Sequence, residues 1–234
     1  MIYSKLAAIY DGLVKDEEAT KQWVLFVKQN IKGKKILELA CGSGEITRAL
    51  AKAGYDVLAT DISSEMLAEA QAKGSFPNLK YQMMDMRDLR VNESYDGIIC
   101  FCDSINYLED YQALQKLFLE VYIALNHQGV FLFDMHQEDR LNEFRDGWQE
   151  EGRIDDVDYK WEIISQGEYL VHDFTLISEN QTFMETHRQR VFTFDRVEAL
   201  LSDCGFSFEV KDDYDIFSED LKEKYFFVAR KANS

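Results

Sequence analysis

One segment of the sequence carries most of the chemistry that residue types and spacing suggest. Residues 38–44 read Glu-Leu-Ala-Cys-Gly-Ser-Gly and stand between a short apolar run and a helical pattern. Glycines at positions 42 and 44 let the backbone turn tightly and approach a ligand without obstruction by a Cβ atom. The following helix would present unpaired N–H groups and its positive dipole end to that ligand. The segment therefore predicts a ligand-binding loop.

Two aspartates extend this candidate site. Asp61 ends the second apolar run and Asp85 follows the third. Because ligands of open α/β sheets bind outside the carboxyl ends of the strands, we expect Glu38, Asp61 and Asp85 to share one rim of a sheet. In nucleoside-binding folds of this kind, an acidic residue at the position of Asp61 binds ribose hydroxyls. Two alternatives stay open: Asp61 as the cap of the next helix, and Asp85 as a turn residue.

Three further residues are candidates for a general base. Asp103 and Tyr107 follow the fourth apolar run, and His136 follows the fifth. Side chains of these types transfer protons in many enzymes. The alternatives are that Tyr107 only ends a loop and that His136 is a loop histidine with an ordinary hydrogen bond. Cys100 and Cys102 stand two apart in an apolar run, so we expect them to share one strand face, in the core or lining a pocket.

Alternating strands and helices must position these residues. Apolar runs predict seven strands, at residues 35–40, 56–60, 79–83, 96–101, 130–134, 206–211 and 225–230. Helical spacing predicts helices between them, with Ser63 and Asp110 as N-terminal caps. This order indicates βαβ units and a doubly wound, mostly parallel sheet with helices on both faces.

The alternation of predicted strands and helices stops between about residues 148 and 194, where apolar and polar residues alternate. Period-two alternation with intervening turn residues is typical of antiparallel strands. We therefore expect an antiparallel β subdomain inserted into the α/β domain. The expected boundaries are an α/β part at 1–140, the insertion at 141–194, and the rest of the α/β domain at 195–234.

Composition excludes several classes of function. The chain has 234 residues and a formal net charge of -17, and this charge would repel the phosphate backbone of DNA. No apolar run approaches the roughly 18 residues of a membrane helix. The four cysteines lack the spacing of a zinc site or a disulfide framework. We therefore expect a cytoplasmic protein with no metal site, no DNA partner and no membrane association.

Taken together, residues 38–44, Asp61 and Asp85 resemble the first three motifs of the class I S-adenosylmethionine-dependent methyltransferases. The resemblance covers most of the chain outside the insertion, and the last predicted strand is similar to the family's antiparallel seventh strand. Tyr10 and Asp11 are similar to a pair in a small bacterial subgroup, in which the tyrosine helps to cover the cofactor. That subgroup also has a β insertion after the fifth strand.

The resemblance implies a Rossmann-like fold and S-adenosylmethionine as cofactor. It implies that Asp61 binds the ribose, that Asp85 and Met86 hold the adenine, and that the segment after the fourth strand faces the transferred methyl group. The predicted cofactor-binding residues are Tyr10, Glu38, Ala40, Gly42, Gly44, Asp61, Ile62, Met66, Asp85, Met86 and Cys102.

The acceptor is less well specified by the sequence. The motif of exocyclic-amine methylation in nucleic acids is absent after the fourth strand, so we expect a small-molecule acceptor, with a protein acceptor and a homodimer left open. Two other functions are alternatives: a non-catalytic cofactor-binding adaptor, and a nicotinamide-dependent oxidoreductase. The oxidoreductase fingerprint would have glycine or alanine where this chain has Thr47.

Overall fold

The computed structural model describes residues 12–13, 16–92, 94–178, 181–219 and 221–231. The first part of the chain alternates strands β1 (Lys35–Leu39), β2 (Asp56–Asp61), β3 (Leu79–Met83), β4 (Tyr95–Cys100) and β5 (Leu125–His136) with helices α1 (Glu17–Asn30), α2 (Glu45–Lys52), α3 (Ser64–Ala72) and α4 (Tyr111–Ala124). Short helix α5 (Arg140–Glu143) then leads into β6 (Trp148–Ile154), β7 (Val157–Gln166), β8 (Tyr169–Ser178) and β9 (Gln181–Arg190). The chain continues through α6 (Phe194–Asp203), β10 (Phe206–Lys211), α7 (Asp213–Phe217) and β11 (Lys224–Lys231).

Two separate sheets result. The seven-stranded sheet has the order β10-β11-β5-β4-β1-β2-β3. Strands β1 to β5 pair in parallel, whereas β11 is antiparallel to both β5 and β10. The second sheet has four antiparallel strands in the order β6-β7-β8-β9. The predicted mostly parallel sheet with an antiparallel insertion is confirmed.

Polar caps fix where the helices begin. The Asp110 carboxylate accepts hydrogen bonds from the N–H groups of Gln112 and Ala113 at the start of α4. The Ser63 hydroxyl accepts from the Met66 N–H at the start of α3. Such caps satisfy N–H groups that have no partner inside the helix. In the described part of the chain, no helix is both long enough and apolar enough to cross a membrane.

The core has a layer on each face of the large sheet. On one face, α4 and α6 pack against the sheet through buried residues such as Leu117, Phe118 and Leu201. On the other face, α1, α2 and α3 contribute residues that include Phe26 and Leu50. Burial of both faces explains why β1, β4 and β5 are almost continuously apolar, since parallel strands covered by helices have no solvent face.

Several boundaries differ from the sequence-based prediction. Strand β5 begins at Leu125 rather than at residue 130, with Gly129 inside it, because its pairing with β4 shifts register near Tyr95. Strand β6 has no alternating pattern because nearly all its residues are exposed. The expectation that Cys100 and Cys102 share a strand face is wrong: β4 ends at Cys100, and Cys102 has a positive φ of 59°.

Two neighbouring residues of α4 test this packing. Phe118 is fully buried and its ring lies 5.6 Å from that of Phe133, whereas Leu119 is 45% exposed. We expect Phe118→Ala to lower the free energy of unfolding by about 3–5 kcal/mol, because it leaves a cavity. The matched Leu119→Ala change should alter it by less than about 0.5 kcal/mol. Urea denaturation measures both, and equal losses in the two variants would contradict the described core.

Candidate functional site

A cavity of about 550 Å³ lies at the carboxyl ends of β1, β2, β4 and β5. The inserted sheet contributes Trp161, His172 and Gln189 to its lining. The predicted site residues that line it are Glu38, Ala40, Gly42, Asp61, Ile62, Met66, Asp85, Met86, Cys102, Asp103, Tyr107 and His136. Tyr10 lies outside the described residues. Gly44 is described but is not part of the lining.

The two glycines of the loop have different surroundings. Gly42 has a φ of +53°, and a Cβ atom built there would have no neighbour within 4 Å, so its backbone borders open space. Gly44 has a φ of +75°, and its Cβ would lie 2.9 Å from the Tyr81 hydroxyl and 3.0 Å from the Ala70 Cβ. Gly42 therefore leaves room for a ligand. Gly44 allows close packing between the loop, α3 and β3 instead of contacting the cavity.

Asp61 ties this loop to the next helix. One carboxylate oxygen accepts a hydrogen bond from the Gly42 N–H at 2.8 Å, and the other accepts from the Ser63 N–H at 2.8 Å. Helix α3 itself is capped by Ser63, so Asp61 is not simply the helix cap. Burial raises the pKa of Asp61, although the backbone N–H groups oppose that shift. Since each carboxylate oxygen can accept two hydrogen bonds, Asp61 keeps capacity for a further donor.

Glu38 is the buried acid at the end of β1. It is 4% exposed, and its Oε2 atom has no hydrogen-bond partner among the described residues. Burial raises the pKa of this carboxyl to about 8. A buried polar atom without a partner is uncommon, and one that borders a cavity is suited to binding a polar ligand.

Asp85 is held by a charged neighbour at the rim of the cavity. Arg87 Nη2 lies 2.6 Å from Asp85 Oδ2, and Arg87 Nη1 lies 3.0 Å from Glu109 Oε1. The hydrogen bond from Arg87 lowers the pKa of Asp85, so this carboxyl is ionised at neutral pH. Asp85 thus belongs to an ion-pair cluster, and its Oδ1 atom also accepts from the Arg87 N–H at 2.9 Å, as expected of a turn residue.

The candidate bases belong to a buried charged cluster that sequence reasoning only partly identified. Asp103 Oδ1 lies 3.6 Å from His136 Nδ1, and Lys224 Nζ lies 2.9 Å from Asp103 Oδ2. The same ammonium lies 3.1 Å from Asp134 Oδ2. Burial opposes the charge on Lys224, but the two aspartates hold its pKa well above the ordinary value. Burial also raises the pKa of Asp134.

Asp134, Lys224 and Gln189 were missed from the sequence. Asp134 interrupts the apolar run Val-Phe-Leu-Phe-Asp-Met of β5, and an acidic residue in a buried strand is a signal that could have been used. Lys224 sits next to His136 only because β11 pairs with β5 in antiparallel register. Gln189 reaches the cluster from a separate sheet, and nothing local in the sequence indicates it.

Tyr107 also lines the cavity. Its hydroxyl lies 3.3 Å from His187 Nδ1, so it contacts the inserted sheet. In the same sheet, the Trp161 indole N–H donates to His172 Nδ1 at 3.3 Å. The rings of Trp161 and Phe174 stack at 5.1 Å. The inserted sheet therefore gives the cavity an aromatic surface with one imidazole group, that of His172.

Comparisons with known proteins find similar sequences along the whole chain. The sequence profile of a methyltransferase domain matches residues 36–129. YqeM of Bacillus subtilis strain 168, provisionally named as a methyltransferase, is 31% identical over 245 residues that cover 100% of this chain and 99% of that protein. A glycine/sarcosine N-methyltransferase of Halorhodospira halochloris is 33% identical over 139 residues, which cover 56% of this chain and 52% of that protein.

A solved structure extends the similarity to the whole fold. The crystal structure of an S-adenosylmethionine-dependent methyltransferase from Clostridium acetobutylicum ATCC 824 has a TM-score of 0.83 to this chain. The two are 27% identical, and the alignment covers 99% of each chain. The similarity therefore includes the inserted sheet as well as the α/β domain.

The buried Glu38 predicts a pH-dependent stability. The pKa of a glutamate carboxyl in water is about 4.5, whereas that of Glu38 in the folded protein is about 8. Between these values the unfolded chain loses the proton while the folded protein keeps it, so the free energy of unfolding falls as pH rises. This pKa difference can lower the free energy of unfolding by at most about 5 kcal/mol. We expect Glu38→Gln to remove the decrease in the free energy of unfolding that Glu38 causes between pH 5 and pH 8. Urea denaturation without ligand measures this free energy.

The control for this experiment is Glu151→Gln, in exposed strand β6. It should follow the wild-type pH profile of stability, because its side chain is exposed and lies outside the cavity. If Glu38→Gln and wild type lose stability in parallel from pH 5 to pH 8, Glu38 is ionised in the folded protein and its described environment is wrong.

Proposed function

The chain belongs to the class I S-adenosylmethionine-dependent methyltransferases, and on that premise we propose that it methylates a small-molecule acceptor bound beneath the inserted sheet. S-adenosylmethionine supplies a methyl group on a sulfonium, a good leaving group, so alignment of the acceptor can account for much of the rate. The observation that supports the proposal is the continuity of one cavity, from the Gly42 loop to the cluster around Asp103.

The cofactor half of the cavity fits this role. The open space at Gly42 leaves room for a bound molecule, and Glu38 offers a buried oxygen without a partner. We propose that Glu38 and the loop hold the methionine moiety and that Asp61 accepts from the ribose hydroxyls. Asp85 and Met86 would then border the adenine, with Ala40, Ile62, Met66 and Cys102 in the lining. Tyr10 stays a proposed cover for the cofactor, outside the described residues.

The other half of the cavity supports a small acceptor. Its volume of about 550 Å³ is within the usual range of small-molecule sites, roughly 300–1,000 Å³. A relative over about half of the chain is named for methyl transfer to glycine and sarcosine, which are small molecules. The net charge of -17 supports exclusion of DNA. We also propose that residues 141–194 form the acceptor-covering subdomain and that the protein is cytoplasmic, in keeping with its free thiols.

Asp61 allows a direct test of the proposed cofactor site. We expect Asp61→Ala to weaken the binding of S-adenosylmethionine about tenfold or more, because a hydrogen bond to a charged group contributes roughly 1.5–3 kcal/mol. The matched control is Asp56→Ala, which removes an exposed carboxylate at the other end of the same strand. Calorimetric titration measures both dissociation constants, after thermal melting shows that each variant is folded. Equal affinity in the two variants would remove Asp61 from the cofactor site.

The type of molecule that receives the methyl group tests the proposed acceptor class. Purified enzyme and S-adenosylmethionine with a labelled methyl group are incubated with a cell extract separated into small molecules, proteins and nucleic acids. We expect label in the small-molecule fraction at a rate at least tenfold above that in either macromolecular fraction. A reaction without enzyme is the control for non-enzymatic labelling. Preferential labelling of proteins or nucleic acids would contradict the small-molecule proposal.

A further inference from the structure

Two buried acceptor atoms face each other in the acceptor half of the cavity. Asp103 Oδ1 and His136 Nδ1 lie 3.6 Å apart, and neither has a hydrogen-bond partner among the described residues. The His136 side chain is 6% exposed and that of Asp103 is 17% exposed, and both residues line the cavity. Buried polar atoms are nearly always paired. Two of them on one cavity wall indicate a ligand that donates hydrogen bonds to both.

Gln189 determines which nitrogen of His136 carries the proton. The Gln189 amide N–H donates to the Asp103 carbonyl oxygen at 3.4 Å, while its Oε1 lies 2.9 Å from His136 Nε2. The opposite amide orientation would place two acceptors, Oε1 and the Asp103 carbonyl, against each other. Because Oε1 can only accept, neutral His136 carries its hydrogen on Nε2. Nδ1 is then the unprotonated nitrogen, with its lone pair in the cavity beside Asp103.

Lys224 leaves one oxygen of Asp103 available. Its ammonium binds Asp103 Oδ2 at 2.9 Å, which directs Oδ1 toward His136 and the cavity. Burial opposes ionisation of Asp103, but His136 and Lys224 hold its pKa below the ordinary value. Since Asp134 also faces Lys224 at 3.1 Å, two carboxyl groups meet one ammonium. The nearby Arg140 is engaged by Glu143 and Glu223. When Asp134 is ionised, the cluster has one more negative than positive charge, which favours a positively charged ligand.

We propose, on the basis of the proposed function, that the acceptor is a primary or secondary amine, that His136 is its general base, and that Gln189 is a positioning residue. A protonated amine has at least two N–H groups, so it can donate to Asp103 Oδ1 and His136 Nδ1 at once. An alcohol has a single O–H and would leave one of the two acceptors buried without a partner, which costs about 1–3 kcal/mol. The site thus selects nitrogen over oxygen nucleophiles.

The proton transfer is balanced within this cluster. The ammonium N–H bond breaks and its proton moves to His136 Nδ1, which leaves the electron pair on the amine nitrogen. The neutral amine nitrogen then bonds to the methyl carbon while the carbon–sulfur bond breaks with its electron pair on sulfur. Protonated His136 carries Nδ1–H, which faces the Asp103 carboxylate. Asp103 thereby stabilises the charge that the base acquires.

The pH dependence of the reaction follows from the groups around His136. Those that face it are Asp103 after β4, Lys224 on β11, Arg140 on α5 and His172 on β8. Burial lowers the pKa of His136, and Asp103 partly opposes that shift. The base form is therefore present at neutral pH. We expect kcat/KM to fall as the pH drops through this lowered pKa, below the ordinary value of about 6.5.

Nitrogen-15 NMR of histidine-labelled protein tests the tautomer without any acceptor. The chain has four histidines, so substitution assigns each signal. We expect an unprotonated Nδ1 and a protonated Nε2 for His136. Gln189→Leu should abolish this preference, and Gln189→Glu should keep it, because a carboxylate also accepts from Nε2–H. An Nδ1-protonated His136 in the wild-type protein would overturn the proposal, whatever the fate of the proposed methyl transfer.

Matched amine and hydroxyl probes test the acceptor class. With S-adenosylhomocysteine present, ethanolamine and glucosamine should shift the His136 signals, whereas ethylene glycol and glucose should not. In turnover, amines should be methylated at least tenfold faster than their hydroxyl partners. His136→Asn should lower kcat about a hundredfold or more, and the exposed His127→Gln is the control. Equal shifts of the His136 signals, or equal methylation rates, for amines and hydroxyl compounds would refute amine selection. Such a result would leave the proposal of small-molecule methylation intact.

Discussion

The ion pairs of Lys224 with Asp103 and Asp134 hold one side of the cavity together. They connect the loop after β4, the carboxyl end of β5 and the start of β11. Removing three charged groups from water costs free energy, and their mutual attraction offsets this cost only when the charged atoms lie close together. Loss of one partner would leave the others buried without compensation. The positions of three chain segments at the cavity are therefore interdependent.

Backbone strain occurs at the same edge of the sheet. Ala40, Cys102 and Asp103 have positive φ values of 52°, 59° and 58°, a conformation that residues other than glycine rarely adopt. Each follows the carboxyl end of β1 or β4. Such strain persists only where surrounding contacts over-determine the backbone, and it concentrates at functional sites. Here the Asp103 N–H donates to Asp134 Oδ2 at 3.0 Å, so the charged cluster also holds the strained turn in place.

The position of Glu38, Gly42 and Asp61 at one cavity could be predicted from the sequence because its determinants are local. Glu38 and Asp61 lie at the carboxyl ends of strands with clear apolar runs, Gly42 follows such a strand, and parallel strand order brings all three to one rim. The charged cluster on the other side of the cavity could be predicted only in part. His136 and Asp103 stood out as polar residues after strands, but the charge pairing depends on the antiparallel register that puts Lys224 beside His136. Register between distant strands is set by packing of the whole sheet and has no short-range signal.

The inserted sheet is bound to the α/β domain by buried hydrogen bonds, which makes it a fixed wall of the site. Fully buried Asn106 donates to the carbonyl of Arg190 at 2.6 Å and accepts from the His136 N–H at 3.2 Å. Gln189 adds its contacts to His136 and to the Asp103 carbonyl. Moving the sheet away would leave several buried polar groups without partners, at roughly 1–3 kcal/mol each. Because the same bonds orient His136, the fixed position of the insertion and the orientation of the proposed base have a common physical cause.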